Sequence, residues 1–156
     1  MLEKEHGTCE KPVMKDLRWK CESKMSDHIC CYNRHYAEHL GYWQETDFVS
    51  YVRGLPETSS VTFYDSVSGL PLFVAPKGRN MDEFIKESMA HGWPSFRDEE
   101  VVSENVFELP GGEVVSVSGT HLGHNIPDGP SRERNRYCIN LVSVAGRPSE
   151  AACNDV

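Results

Sequence analysis

The chain has 156 residues, a formal net charge of −8 and 38% hydrophobic residues. That length supports one self-sufficient core, and the acidic balance speaks against a nucleic-acid partner, which needs a basic face. No apolar run reaches the roughly 18 residues of a membrane helix, and the opening MLEKEHGTCEKPVMKD lacks the apolar stretch of a secretory signal.

A cytoplasmic, reducing location is therefore the expectation. Six cysteines stand at 9, 21, 30, 31, 138 and 153, with no C-x-x-C pair among them. In a reducing compartment most of them should be thiols.

Taken in chain order, residues 1–27 are polar and read as a flexible N-terminal arm. Within it, KDLRWKCESKM has the apolar anchors Leu17, Trp19 and Cys21 for a short turn of helix. Residues 28–147 form a single domain. Its first part carries Tyr32, Tyr36, Tyr42, Trp43, Phe48 and Tyr51, a density of rings that predicts packing on the rest. From residue 61 onward VTFYDSV, LPLFVA, VVSENVFELP, EVVSVSG and RYCINLVSV have strand length and end at turn residues. Gly111-Gly112 in LPGGEVV predicts a hairpin. One helix is marked by a capping box, Asn80 with Glu83, and by Gly92 as its stop. Its face of Met81, Phe84, Ile85 and Met89 is expected in the core. Residues 148–156 read as a flexible tail. The fold class is mainly β, antiparallel, with one or more short helices.

The stretch GTHLGHNIPDGPSRERNRYCIN (119–140) concentrates the reactive side chains, and three readings fit it. His121, His124 and Cys138 could ligate a metal, although Gly123, Pro127, Gly129 and Pro130 exclude a helix that would pair the histidines. The histidines could be structural. Or the stretch serves thiol chemistry. Strand alternation puts Arg136, Cys138 and Asn140 on one face. There a cation favours the thiolate, an amide can hold an oxygen, and a nearby histidine can move a proton.

GWPSF (92–96), HLGH (121–124), PDGP (127–130) and RYCIN (136–140), with LPLF (70–73) upstream, follow the order and spacing of methionine-R-sulfoxide reductases of the B type. The chain resembles that family over residues 60–144. The resemblance implies a fold of two antiparallel sheets and thiol-dependent reduction of methionine-R-sulfoxide through a sulfenic acid on Cys138. It implies that Trp93, with Phe96 and Asp128, receives the substrate. His124 and Asn140 would hold a water or the sulfoxide oxygen, with His121 beside them and Arg136 favouring the thiolate.

Three departures from the family pattern stand out. The positions that hold a structural zinc in many members are Asp65, Ser68, Val115 and Ser118, so no structural zinc or other cofactor is expected. His91 occupies the usual resolving position, which leaves Cys31 or Cys30 as the candidate resolving thiols and thioredoxin or glutathione as the external reductant. HLGH is followed by Asn125 and Ile126, which changes the pocket edge. The implied partners are oxidised proteins or free methionine sulfoxide. The alternative is a non-catalytic relative that binds methionine-containing or oxidised partners.

Overall fold

A computed structural model describes residues 9, 12–32, 37–56, 58–126 and 135–148. Four short helices and seven strands follow in order. They are α1 (Ser23–Asp27), α2 (Tyr42–Glu45), α3 (Phe48–Arg53), β1 (Val61–Tyr64), β2 (Pro71–Ala75), α4 (Met81–His91), β3 (Ser95–Phe96), β4 (Val106–Glu108), β5 (Glu113–Ser116), β6 (His121–Ile126) and β7 (Arg136–Ile139). β1 and β2 make a two-stranded antiparallel sheet, and the other five make a second sheet in the order β3-β7-β6-β5-β4. The fold is mainly β with two antiparallel sheets. No helix among the described residues is long and apolar enough to cross a membrane.

Local chemistry accounts for these elements. Gly111 and Gly112 turn β4 into β5 with φ of 92° and 93°, values at which any Cβ is strained. The capping box of α4 is formed, with Asn80 Oδ1 accepting from the Glu83 N–H at 2.8 Å and Glu83 Oε1 from the Asn80 N–H at 3.0 Å. Phe84 and Ile85 are buried as expected, but Met89 is 51% exposed. Ser88 takes the inward position instead, because its Oγ accepts from the Ser95 N–H at 3.0 Å and ties α4 to β3.

The core is a run of aromatic rings between the two sheets and the helices. Phe96 stacks on Phe73 with centroids 4.2 Å apart and meets Phe63 edge-on at 4.9 Å. Phe48 and Trp19 extend the run toward the N-terminus. Residues 12–27 are thus not a loose arm. Val13, Leu17, Trp19 and Cys21 are buried, and the guanidinium of Arg18 lies 4.1 Å above the Trp19 ring. Composition misled here because a few apolar residues, spaced irregularly, suffice to dock a polar segment onto an existing core.

A second small cluster holds Cys9, Val13, Cys30, Cys31 and Val67. Cys9 and Cys31 form a disulfide with Cα atoms 5.4 Å apart, while Cys21 and Cys30 are free thiols. Two of the six cysteines are thus bonded to each other, in a chain where most are expected as thiols. Cys153 and the tail from 149 lie outside the described residues.

β6 and β7 approach so closely that a Cβ on Gly123 would fall inside the van der Waals surface of the Cys138 carbonyl. Gly123→Ala is therefore expected to lower stability by about 3 kcal/mol in urea unfolding. Gly78→Ala, at a turn with open space around it, should cost only about 1 kcal/mol for its positive φ.

Candidate active site

The strand register assembles the site. Glu113 faces His124 across β5–β6, His124 faces Cys138 across β6–β7, and Cys138 faces Ser95 across β7–β3. Directly opposed residues share a face, so these four form one row across the sheet. In an unbroken strand His121 and His124, three apart, would point to opposite faces. The register slips between Val114 and Val115, so that His121 opposes Val115 and Leu122 is the extra residue. This bulge brings the His121 ring to 6.0 Å from His124.

Cys138, His121, His124, Trp93 and Asn140 then line one pocket of about 250 Å³, together with Ala37, Gly123 and Ile126. Cys138 is half-buried and His124 exposed, so the sulfur and one imidazole are reachable from solvent. His121 is buried, and its Nδ1 is 2.8 Å from Glu113 Oε2. A carboxylate there keeps the Nδ1 proton on the ring and fixes the ring's orientation. Trp93 Nε1 donates to the Glu38 carbonyl at 2.8 Å, which sets the plane of the indole.

Other expected site residues are placed differently. Asn140 lines the pocket, but its amide is committed to the framework: Nδ2 donates to Leu122 O at 3.0 Å, and Oδ1 accepts from the Glu38 N–H at 2.9 Å. Arg136 is buried, with Nη1 donating to Ser95 Oγ at 3.4 Å. Phe96 is wholly buried in the ring stack and is a core residue, not a substrate contact. Ile126 forms the pocket edge, while Asn125 Nδ2 donates to Glu108 on the other face. Asp128 lies outside the described residues.

Cys31 is bonded to Cys9, and Cys30 is buried beside Ser143 and Ser26. Burial pushes the Cys30 thiol up to about 12, against the hydrogen bonds of Ser143 and Ser26. Neither cysteine lines the Cys138 pocket, so the aromatic segment does not carry them there. Among the described residues no three His, Cys, Asp or Glu side chains converge as a metal would need.

Four contributors escaped the sequence reading. Glu113 is eight residues before His121 and becomes its partner only through the hairpin. Ser95 sits inside GWPSF and links Arg136 to the Trp93 backbone, donating to Trp93 O at 2.9 Å. Ala37 and Glu38 carry no motif at all.

The sequence model of the SelR domain matches residues 85–148, a stretch that holds Trp93, both histidines, Arg136, Cys138 and Asn140. Over this stretch the chain is similar to the methionine-R-sulfoxide reductase B family. It is 41% identical over 90 residues to a peptide methionine sulfoxide reductase MsrB of Saccharophagus degradans, covering 57% of this chain and 54% of that protein. It is 45% identical over 91 residues to the peptide methionine sulfoxide reductase MsrB of Methanosarcina mazei, covering 53% and 64%. It is 34% identical over 95 residues to the mitochondrial methionine-R-sulfoxide reductase B3 of Mus musculus, covering 55% and 34%. The chain thus spans about half the length of the curated relatives it matches.

The residues at the family's zinc positions do not fit the metal. Val115 has no donor atom, and both oxygens of the buried Asp65 are taken. Oδ1 accepts from the Val67 N–H at 2.8 Å, the Ser68 N–H at 3.3 Å and Thr120 Oγ1 at 2.8 Å, and Oδ2 from Ser116 Oγ at 2.6 Å. This hydrogen-bonded clasp joins the β1–β2 turn to the β5–β6 turn. Asp65→Ala would orphan four donors and is expected to lower stability by about 3 kcal/mol, against about 1 kcal/mol for Ser116→Ala, as read from urea midpoints.

Proposed function

We propose that this chain reduces methionine-R-sulfoxide to methionine. The observation that carries the reading is Cys138 at an accessible pocket walled by an indole and two imidazoles. A substrate methyl group would lie on the Trp93 face, with the sulfoxide oxygen toward the histidines. The Cys138 thiolate attacks the sulfoxide sulfur while a proton from an imidazole goes to the oxygen. The oxygen then passes to the cysteine sulfur, the new S–S contact breaks, and methionine leaves with Cys138 as a sulfenic acid. Arg136, buried two residues away on the same face of β7, favours the anionic sulfur through its charge.

The cycle closes when an outside thiol condenses with the sulfenic acid, releasing water, and a second thiol frees Cys138 as the disulfide departs. Thioredoxin or glutathione has the chemistry for both steps. Cys31 already shares a disulfide with Cys9 and Cys30 is held neutral by burial, which favours this external route over an internal one. Oxidised proteins are the natural substrates for a pocket open at the surface.

Mixing the reduced protein with a peptide carrying one methionine-R-sulfoxide should give one methionine per chain without added reductant. Cys138→Ser should give none, a loss of at least about 10³-fold in rate. Methionine formation by that variant would refute the mechanism. A wild-type protein that binds the peptide but yields no methionine would instead indicate the non-catalytic relative.

The chain should also work without structural zinc, since the Asp65 clasp fills the metal's place. Elemental analysis is expected to find no stoichiometric zinc, and a chelator should leave Tm unchanged.

A further inference from the structure

Residues 37–41 lie outside the SelR match at 85–148, yet Ala37 lines the pocket. Glu38 touches three parts of the site at once. Its backbone N–H donates to Asn140 Oδ1 at 2.9 Å, and its carbonyl accepts from Trp93 Nε1 at 2.8 Å. Its carboxyl Oε1 accepts from the Val142 N–H at 3.1 Å, just past the strand that carries Cys138. Three residues on, the Gly41 N–H donates to Gly92 O at 2.8 Å, so the segment runs beside the Gly92–Trp93 backbone. The Glu38 side chain is 2% exposed, and its Oε2 has no hydrogen-bond partner among the described residues.

We propose that Glu38 is a positioning residue for the pocket: its neutral carboxyl locks Ala37, Trp93 and Asn140 into one geometry around Cys138. The role in substrate binding rests on the reductase reading above; the lock itself does not.

The physical reason is solvation. A buried carboxylate with one unpartnered oxygen is costly, so the group prefers its proton. Burial raises its pKa to about 8, against the N–H groups of Val142 and Leu141, which pull it down. The titratable groups facing it from the other elements are Cys21 and Tyr42, both themselves pushed up by burial and neutral near pH 7. Glu22, Lys24, His28 and His39 line the surface cleft on its outer side. Because the folded pKa lies above the unfolded one, the folded state binds the proton more tightly. The lock is therefore complete at acidic pH and lost as pH rises through about 8, where the ionised carboxyl must reach water and the segment must move.

Glu38→Gln tests this, since it keeps the acceptor and both backbone bonds but cannot ionise. With a peptide carrying one methionine-R-sulfoxide, the half-saturating concentration in single turnovers should rise about tenfold at pH 9 in the wild type. That is the factor by which the protonated fraction has fallen. In Glu38→Gln it should stay flat from pH 7 to 9, with the rate at saturation tracking the wild type. The Trp93 indole N–H proton resonance gives a readout independent of turnover. It should titrate with a midpoint near pH 8 in the wild type and not in Glu38→Gln. Superimposable indole titrations in the two proteins would overturn the proposal, as would a half-saturating concentration that rises equally in both. A wild-type protein that forms no methionine but shows the indole titration would remove the reductase reading and leave the lock standing.

Discussion

The pocket depends on one missing side chain. Gly123 lets β6 lie so close to β7 that its Cα rests against the Cys138 backbone. That contact fixes the register in which His124 stands opposite Cys138. Ser95 is in turn opposite Cys138 on the other side, so the thiol sits in the middle of three strands whose backbones cannot slide independently. A one-residue slip would send every side chain of the row to the other face. The bulge one step along β6 belongs to the same arrangement. It breaks the alternation at the one place where a second imidazole is wanted beside the first.

Two buried polar networks keep this sheet in position. Arg79 reaches both oxygens of Glu100 at 3.0 and 2.8 Å, Glu87 at 2.6 Å and the Ser95 carbonyl at 2.8 Å. It thus joins the segment after β2 to α4 and to the strand that follows Trp93. Buried charges of this kind are tolerated only when each is paired and hydrogen-bonded, and here they are. Asp65 does the corresponding work at the other end. Its four accepted hydrogen bonds close the β1–β2 turn on itself and fasten it to the β5–β6 turn. One buried carboxylate and the hydroxyls of Ser116 and Thr120 thus hold the two turns together.

The N-terminal part of the chain, which lies outside the SelR match, is not an appendage to the rest. Trp19 packs edge-on against Phe48 at 4.9 Å, and Phe48 meets Phe63 and Phe84, so the ring cluster is continuous from the first turn to α4. The disulfide between Cys9 and Cys31 packs with Val67, one of the two residues between Asp65 and Ser68 at the β1–β2 turn. The same half of the chain supplies Ala37 and the Glu38 anchor of Trp93. The pocket is thus completed by residues outside the SelR match, although its reactive groups lie within it.

The sequence by itself determined the elements whose causes are local. Gly111-Gly112 needs a turn whatever surrounds it, and the Asn80–Glu83 box caps a helix from within its own first turn. Strand alternation placed Arg136 and Cys138 on one face, and the family resemblance carried by GWPSF, HLGH and RYCIN pointed to most of the residues that line the pocket. What it could not determine depends on contacts between distant segments. Phe96 reads as a site residue from its motif, but three other rings enclose it. Met89 has the right helical period, yet Ser88 is buried because Ser95 needs an acceptor. Cys31 finds Cys9 rather than Cys138, and a polar N-terminal stretch becomes core because Phe48 and Phe63 offer it a surface. Glu38 meets Trp93, Asn140 and Val142 across separations of 55, 102 and 104 residues. No local pattern encodes such a meeting, because what sets it is burial, and burial exists only once the chain has closed on itself.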